Sequence, residues 1–149
     1  MQITKEPSNI LHKQLTIVKD ITPEIKELIS DMKKTMVAAH GVGLAANQFG
    51  KDLQIFVIEE NLAKENGVPD VYLNPEITES SKDQGEMEEG CLSIPDYWVN
   101  IKRSKKIKIK FMDENGKKKK IRARGFLARV LQHEYDHLQG ILIKDRVKQ

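Results

Sequence analysis

Two histidines and two carboxylates lie within six residues near the end of the chain, in the segment Gln132-His133-Glu134-Tyr135-Asp136-His137. If this segment is helical, His133 and His137 lie one turn apart on the same face and can direct two imidazoles at one point. Glu134 follows the first histidine, where its carboxylate can reach a metal-bound water. The pattern is typical of a metal site that activates water.

An apolar stripe predicts that this segment belongs to a helix with one buried face. Its members recur at helical spacing and are Phe126, Leu127, Val130, Leu131 and Leu138. Both histidines lie beside the stripe, so we expect them to be partly buried. A histidine pair at this spacing can also arise by chance on a surface helix, but its position beside the stripe favours the metal site.

A catalytic metal site of this kind usually has three protein ligands and one open position for water, so a third ligand is needed. Cys91 is the best candidate, because a thiolate binds zinc or ferrous iron strongly and Gly90 lets the backbone approach closely. His12 lies in a weakly patterned segment, and His40 lies at a predicted helix end, where a cation is favourable without a metal. A lone cysteine usually only packs in a core, but polar neighbours such as Glu89 argue against simple burial here.

A second helix is predicted near the N-terminus, after an extended arm formed by residues 1–21. Thr22 can cap this helix, Pro23 suits its first position, and Glu24 favours the positive end of its dipole. Apolar residues then recur at steps of three and four positions, so one face should be buried. They are Ile25, Leu28, Ile29, Met32 and Met36. The two glycines that flank Val42 end the helix.

Strands are predicted for much of the chain between the two helices. Segments expected to contain strands are residues 53–58, 71–73, 77–89, 106–111, 117–124 and 141–143, with a polar loop over 61–69 and a strand end at Asn74-Pro75. Asn115-Gly116 is a tight-turn signal that joins the basic segments into a hairpin. The order of elements predicts a mixed α+β fold, with mainly antiparallel strands around a central metal-binding helix and an N-terminal helix.

Length and composition limit the possible classes of protein. The chain has 149 residues, of which 39% are hydrophobic, and we expect one domain over residues 1–149. No apolar run approaches the roughly 20 residues that a membrane helix requires, and neither a signal peptide nor a transit peptide is visible. The single cysteine excludes an internal disulfide and suits a reducing compartment. We therefore expect a cytoplasmic protein with no membrane partner, with an organelle as the alternative location.

Three motifs resemble the signature motifs of the peptide deformylase family. They are Gly41-Val42-Gly43-Leu44-Ala45-Ala46-Asn47-Gln48, Glu89-Gly90-Cys91-Leu92-Ser93 and Gln132-His133-Glu134-Tyr135-Asp136-His137. They occur in the order and at the approximate spacing of that family. Leu73-Asn74-Pro75 and the hairpin over 106–120 also resemble it, so the likeness covers nearly the whole chain. The resemblance implies an enzyme that removes the formyl group from N-formylmethionine at the N-terminus of newly made proteins and releases formate. It also implies a protein of bacterial type, because formylated starts are made in bacteria and organelles.

The resemblance also implies catalytic roles. The implied metal ligands are Cys91, His133 and His137, with water as the fourth ligand. Glu134 would be the general acid and base, and the Gln48 amide and the Leu92 backbone N–H would stabilise the oxyanion. The family implies Fe²⁺ in the cell, whereas the donor set alone also suits Zn²⁺, Ni²⁺ or Co²⁺.

Substrate-binding residues follow from the same resemblance. Val42, Gly43 and Gly90 would border the groove for the formylmethionyl peptide, and Phe126 and Val130 would line the methionine pocket. Arg129 lies in the apolar stripe, so we expect it to influence preference at or beside that pocket.

Three alternatives remain open at this point. A His-Glu-x-x-His metallopeptidase of the longer type needs a histidine where the chain has Ile143, and the 12 residues after His137 leave little room for a glutamate ligand on a further helix. Cys91 could instead be a nucleophile, but the histidine pair and Glu134 would then have no role. The basic hairpin could bind RNA or be a charged sheet edge that resists aggregation.

A transient contact with the ribosome is also compatible with a basic hairpin, without sequence-specific recognition of nucleic acid. Some family members dock through a C-terminal helix beyond the metal helix. We do not expect that mode here, because the sequence after the metal helix is short.

Overall fold

The computed structural model describes residues 2–147, in which four α-helices, two short 3₁₀ helices (Asn9–His12 and Ala46–Phe49) and seven strands form. The helices are α1 (Pro23–Ala38), α2 (Glu60–Asn66), α3 (Gly125–Leu138) and α4 (Ile143–Val147). The strands are β1 (Gly43–Ala45), β2 (Ile55–Ile58), β3 (Val71–Ser80), β4 (Gln84–Cys91), β5 (Ile94–Ser104), β6 (Lys106–Met112) and β7 (Lys118–Arg124). The ends of the predicted domain, Met1, Lys148 and Gln149, lie outside the described residues.

Two antiparallel sheets surround helix α3. Five strands form one sheet in the order β1-β2-β3-β6-β7, and β4 and β5 form a separate hairpin. Every pairing between these strands is antiparallel. Helix α3 contacts strands of both sheets, so the predicted α+β fold with mainly antiparallel strands around a central helix is confirmed.

The five-stranded sheet is buried on both faces where β1, β2 and the start of β3 lie between α1 and α3. Strand β2 alternates between two cores: Phe56 packs in the cluster that contains Leu131 of α3, and Val57 packs in the cluster that contains Met32 of α1. Two-sided burial explains why β2 is a continuous apolar run rather than an alternating one. The sheet thereby fixes α3 in the interior.

The predicted N-terminal helix is confirmed as α1. The Thr22 hydroxyl accepts a hydrogen bond from the backbone N–H of Ile25 at 3.3 Å, and Pro23 occupies the first position. Met32 and Met36 are buried on its inner face. The preceding arm is largely extended, with a short 3₁₀ helix at Asn9–His12.

The predicted hairpin is also confirmed, since β6 and β7 pair along their whole length. In its turn, Asp113 Oδ1 accepts hydrogen bonds from the backbone N–H groups of Asn115 and Lys117, at 2.9 and 3.0 Å. Gly116 has a φ of 81°, which glycine adopts at little cost.

The predicted loop over residues 61–69 is wrong, because α2 occupies most of it. Leu62 and Ala63 pack on the main core, and Lys64 forms an ion pair with Glu60 at 2.8 Å one turn away. Gly67 ends the helix with a φ of 63°. The segment is polar because only one side of this short helix is buried.

Two strand boundaries also differ from the prediction. β3 does not stop at Asn74-Pro75 but continues to Ser80, and a register shift between Leu73 and Glu76 accommodates the proline. The predicted closing strand over 141–143 is absent from the described residues, since Ile143 begins α4. Leu142 and Ile143 are buried in the core, but their backbone does not pair with a strand. None of the helices in residues 2–147 is long and apolar enough to cross a membrane.

Candidate metal centre and active site

Helix α3 and the end of β4 bring together the three predicted metal ligands. One donor atom from each of Cys91, His133 and His137 lies within 4.8 Å of the others. Cys91 Sγ is 3.3 Å from His137 Nε2. Cys91 lies at a register shift between β4 and β5, and such irregularities re-aim side chains. Residues distant in sequence therefore converge on one point.

The donor set fits a divalent metal ion. Typical metal–sulfur and metal–nitrogen bond lengths in a tetrahedral site separate the two ligand atoms by about 3.6 Å, similar to the observed Cys91–His137 distance. One thiolate and two imidazoles suit zinc, ferrous iron, nickel or cobalt. His12 and His40 do not belong to this cluster, and His12 instead contacts Glu6 at 2.7 Å.

The two histidines have different electrostatic environments. Burial lowers the pKa of His137 well below its usual value, and the nearby charge of His133 lowers it further, so His137 is a neutral imidazole suited to metal binding. Burial also lowers the pKa of His133, but hydrogen bonds with Cys91 and Glu89 raise it more, to about 10. A metal ion would take the place of that proton.

Glu89 holds one of these histidines in place. Its Oε1 lies 3.0 Å from His133 Nδ1, so Nε2 of His133 is directed towards the cluster. Burial raises the pKa of Glu89, but hydrogen bonds from His133 and Arg103 outweigh it and lower the value to about 2. An ionised carboxylate behind a ligand histidine fixes its tautomer and ring orientation. In the sequence, Glu89 is only a polar neighbour of Cys91, and no local pattern indicates this role.

Glu134 is a buried carboxyl group beside the metal ligands. It is 3% exposed, and its Oε2 is 4.0 Å from His133 Nε2. Its Oε1 has no hydrogen-bond partner among the described residues. Burial raises the pKa of Glu134 to about 7, although the nearby His133 and Arg103 lower it. A carboxyl group with this pKa can accept and return a proton near neutral pH.

Gln48 is fixed next to Cys91. Its Oε1 accepts a hydrogen bond from the Ala45 backbone N–H at 3.0 Å. Its Nε2 donates to Ser93 Oγ at 3.1 Å and lies 3.7 Å from Cys91 Sγ. The amide is therefore oriented with its N–H groups towards the cluster.

A cavity of about 690 Å³ opens onto this cluster. Its lining includes all five of the predicted substrate-binding residues, Val42, Gly43, Gly90, Phe126 and Val130. Leu92 lines it as well. Four large apolar side chains in the lining are exposed, namely Val42, Met87, Trp98 and Phe126. Exposed apolar surface concentrated around one cavity is typical of a binding site.

Trp98 and Met87 are lining residues that the sequence analysis did not identify. The Trp98 ring lies directly on Gly90, because a Cβ atom at position 90 would be 2.5 Å from Trp98 Cζ3. Trp98 is 65% exposed, which leaves its other face open to the cavity. Gly90 therefore has a packing reason to be glycine besides a place in the groove.

Arg103, Arg129 and Asp136 form a buried charged network with Glu89. Arg103 donates two hydrogen bonds to Glu89, at 2.7 and 2.9 Å, and one to Asp136 at 2.9 Å. Arg129 donates to Glu89 and to the backbone carbonyl groups of Ile101 and Gly85. Arg103 lies in a basic run of the sequence, and no local signal distinguishes it from surface residues.

Comparison with known proteins identifies the family. The chain matches the family model described as polypeptide deformylase over residues 1–149. It is 41% identical over 149 residues to the peptide deformylase of Thermodesulfovibrio yellowstonii, in a match that covers 99% of this chain and 88% of the relative. It is 48% identical over 136 residues to peptide deformylase 1 of Clostridium perfringens, in a match that covers 91% of this chain and 90% of the relative.

Solved structures agree with this assignment. The peptide deformylase of Thermotoga maritima is 39% identical, with a TM-score of 0.90 over 97% of this chain and 95% of that protein. A peptide deformylase of Synechococcus elongatus in complex with actinonin is 37% identical, with a TM-score of 0.91 over 97% of this chain and 79% of that protein. The metallopeptidase alternative is not favoured. This chain belongs to the peptide deformylase family, the metal-dependent hydrolases that remove N-formyl groups from nascent peptides.

Proposed function

We propose that Cys91, His133 and His137 hold the divalent ion with which this chain hydrolyses the formyl amide of N-formylmethionyl peptides. Three donor atoms within 4.8 Å of one another, beside the buried carboxyl group of Glu134, carry the proposal. The bound ion would supply Lewis-acid activation of water. We favour Fe²⁺ as the ion in the cell, on the resemblance to the family, and Zn²⁺, Ni²⁺ or Co²⁺ as ions that the same donors accept.

Glu134 moves the proton in this proposal. It accepts a proton from water as the oxygen attacks the formyl carbon, and it returns that proton to the leaving amine. The second proton of the water stays on the product as formic acid, which ionises to formate while the free N-terminal amine becomes protonated, so atoms and charges balance. Support comes from the pKa of about 7, raised by burial, because general acid and base catalysis is most efficient with a pKa near the working pH.

Gln48 and Leu92 stabilise the oxyanion that forms on the formyl oxygen. The Gln48 amide is held by Ala45 and Ser93, so its donors need no reorganisation during the reaction. A fixed donor of this kind contributes about 3 kcal/mol to transition-state stabilisation. The backbone N–H of Leu92, next to Cys91, is the second donor in the proposal.

The cavity holds the peptide. Phe126 and Val130 supply apolar surface for the methionine side chain, and Val42, Gly43 and Gly90 border the peptide groove. We expect actinonin, the ligand of the Synechococcus relative, to occupy the same cavity. Formate release from an N-formyl-methionyl tripeptide, compared with acetate release from its N-acetyl counterpart, tests the proposal. The proposal predicts formate only, and equal cleavage of both peptides would contradict it.

We also infer a transient contact between the β6–β7 hairpin and ribosomal RNA. Basic residues lie directly opposite one another in three pairs along this hairpin, namely Lys106–Arg124, Lys108–Arg122 and Lys110–Lys120. Like charges in directly opposed positions destabilise a sheet. Glutamates of β3 contact Lys108 and Lys110 at 3.6 Å, but β7 is the sheet edge, and its cations face outwards. Such a surface attracts the phosphates of RNA.

Ribosome affinity at several salt concentrations tests this contact. Four substitutions to glutamine on β7, at Lys118, Lys120, Arg122 and Arg124, should weaken binding and flatten its salt dependence. The matched control carries glutamine at four exposed lysines outside the hairpin, Lys19, Lys26, Lys34 and Lys51. Equal affinity of the two variants would contradict the contact.

We further infer that residues 1–149 form one catalytic domain that works in the cytoplasm, where nascent chains are made and a metal-binding thiolate stays reduced.

A further inference from the structure

A series of ion pairs, buried beyond Arg146, connects α4 to a predicted metal ligand. Arg146 of α4 donates from Nε and Nη2 to the two oxygens of Asp136, at 2.9 and 2.6 Å. Arg103 of β5 donates from Nη1 to Asp136 Oδ2 at 2.9 Å, and from Nε and Nη2 to Glu89 at 2.7 and 2.9 Å. Glu89 contacts His133 Nδ1 at 3.0 Å. The charged contacts thus continue without a gap from Arg146 to His133.

Two carboxylates in this series share one guanidinium group. Asp136 is 4% exposed and Arg103 is 5% exposed, so both charges depend on their protein partners more than on water. Among the described residues, Oδ1 of Asp136 has Arg146 as its sole hydrogen-bond donor. A buried carboxylate oxygen without a donor is costly. If Arg146 were removed, Asp136 would draw Arg103 into a contact with both of its oxygens.

That movement would weaken the hold on the metal ligand. Arg103 uses Nε and Nη2 for Glu89 and Nη1 for Asp136, and a second bond to Asp136 would come from the remaining N–H groups on Nη1 and Nη2. Turning that edge of the guanidinium group towards both oxygens of Asp136 tilts the group away from its paired contact with Glu89. Glu89 would then lose part of the contact that holds it against His133. Carboxylates behind ligand histidines typically contribute about 10- to 100-fold to metal affinity or activity.

We propose that Arg146 is a positioning residue for the metal centre, which acts through Asp136, Arg103 and Glu89 on the His133 imidazole. The inference rests on the proposed metal role of His133 and its two partner ligands. Arg129 also donates to Glu89, so Glu89 keeps a second cation when Arg103 moves. The expected loss is therefore near the lower end of the range, about 10-fold.

The α4 helix supplies a matched control. The side chain of Arg146 is 32% exposed, so its truncation leaves no large internal cavity. Lys144 lies on the same helix, is 42% exposed, and pairs with Glu6 at 2.6 Å rather than with the series. Lys144→Ala removes the same charge from the same helix without touching Asp136.

The experiment measures the rate at which Zn²⁺ leaves the zinc-loaded protein for an excess of a chromogenic chelator. We expect Arg146→Ala to release zinc about 10-fold faster than the wild type, and Lys144→Ala to release it at the wild-type rate. Arg146→Lys, which keeps one charged donor, should be intermediate. Zinc release by Arg146→Ala at the wild-type rate would overturn the inference. A wild-type protein that holds no zinc, or Cys91→Ala that holds it as tightly as the wild type, would instead contradict the proposed metal centre.

A double variant separates this role from simple docking of α4. Asp136→Asn removes the charge that draws Arg103 away from Glu89. The variant that combines Asp136→Asn with Arg146→Ala should therefore release zinc more slowly than Arg146→Ala alone. If Arg146 only holds α4 in place, the second substitution gives no rescue, and equal release rates in the two variants would refute the positioning role.

Discussion

Gly43 lies against Glu134 so closely that a Cβ atom at position 43 would be 2.6 Å from Glu134 Oε2. Strand β1 therefore packs directly against the buried carboxyl group of Glu134. The absence of a side chain at position 43 lets Glu134 stand beside the metal ligands. This contact joins the first and third sequence motifs into one site.

Gly43→Ala should impair catalysis by displacing Glu134. A misplacement of about 1 Å can lower a rate about 100-fold, and we expect a fall in kcat of that order with metal content unchanged. Steady-state kinetics and metal analysis of the purified variant check this. Gly85→Ala is the control, because a Cβ atom there meets only the flexible Lys105 side chain at 3.5 Å. A wild-type kcat for Gly43→Ala would show that Glu134 tolerates the shift.

Gln48→Glu tests the proposed oxyanion donor. The substitution keeps the size of the side chain and replaces the amide N–H donors with an acceptor group. We expect kcat to fall about 100- to 1000-fold while KM changes little, because the lost hydrogen bond forms mainly in the transition state. The measurement is kcat and KM with a formylated peptide at equal metal content. A rise in KM at constant kcat would place Gln48 in substrate binding instead.

Trp98 is the one tryptophan of the chain, and it offers a direct optical probe of the cavity. Its exposed ring lines the cavity, so its fluorescence should change when a formylated peptide binds to an inactive Glu134 variant. Trp98→Ala should raise KM more than it lowers kcat, since the ring supplies apolar surface and no group that takes part in proton transfer. The same emission with and without saturating peptide would show that the peptide does not reach Trp98.

Asp52 accepts hydrogen bonds from Lys13 and Thr16 and so connects the N-terminal arm to the rest of the protein. The hydrogen bond from Lys13, at 2.7 Å, and those from Thr16 hold the pKa of Asp52 below its usual value. A lowered pKa means that the ionised form stabilises the fold, so this contribution is complete above the pKa of the unfolded chain and disappears as the pH falls through the folded value. Asp52→Asn should therefore be less stable than the wild type at pH 7, and the difference should vanish in acid. Urea unfolding at a series of pH values measures it, and a constant difference down to the lowest pH would contradict the assignment.

The parts of the site that the sequence predicts are those defined by short-range spacing. His133, Glu134 and His137 lie within one and a half turns of a helix, and an apolar stripe marks its buried face. Cys91 followed from the need for a third ligand and from its neighbours. Glu89 lies two residues away, but its contacts are to β5 and α3, and no local pattern indicates which distant cations a carboxylate will meet.

Other errors arose where packing overrides local composition. Residues 60–66 are polar, yet a few apolar side chains are enough to dock a short helix on the core. Ile141, Leu142 and Ile143 form an apolar run that fits a strand. In the structure Ile143 begins α4 instead, and Leu142 and Ile143 are buried in the core. Pro75 lacks the donor that a regular strand requires, and a register shift allows β3 to continue past it.

One pair of proteins tests the catalytic role of Glu134 most directly. Wild type and Glu134→Gln are purified without oxygen, their metal content is measured, and formate release from an N-formyl-methionyl peptide is followed. We predict one metal ion per chain in both proteins, formate from the wild type, and a loss of at least about 100-fold in kcat for the variant. Wild-type formate release by a metal-loaded Glu134→Gln protein would contradict the proposed mechanism.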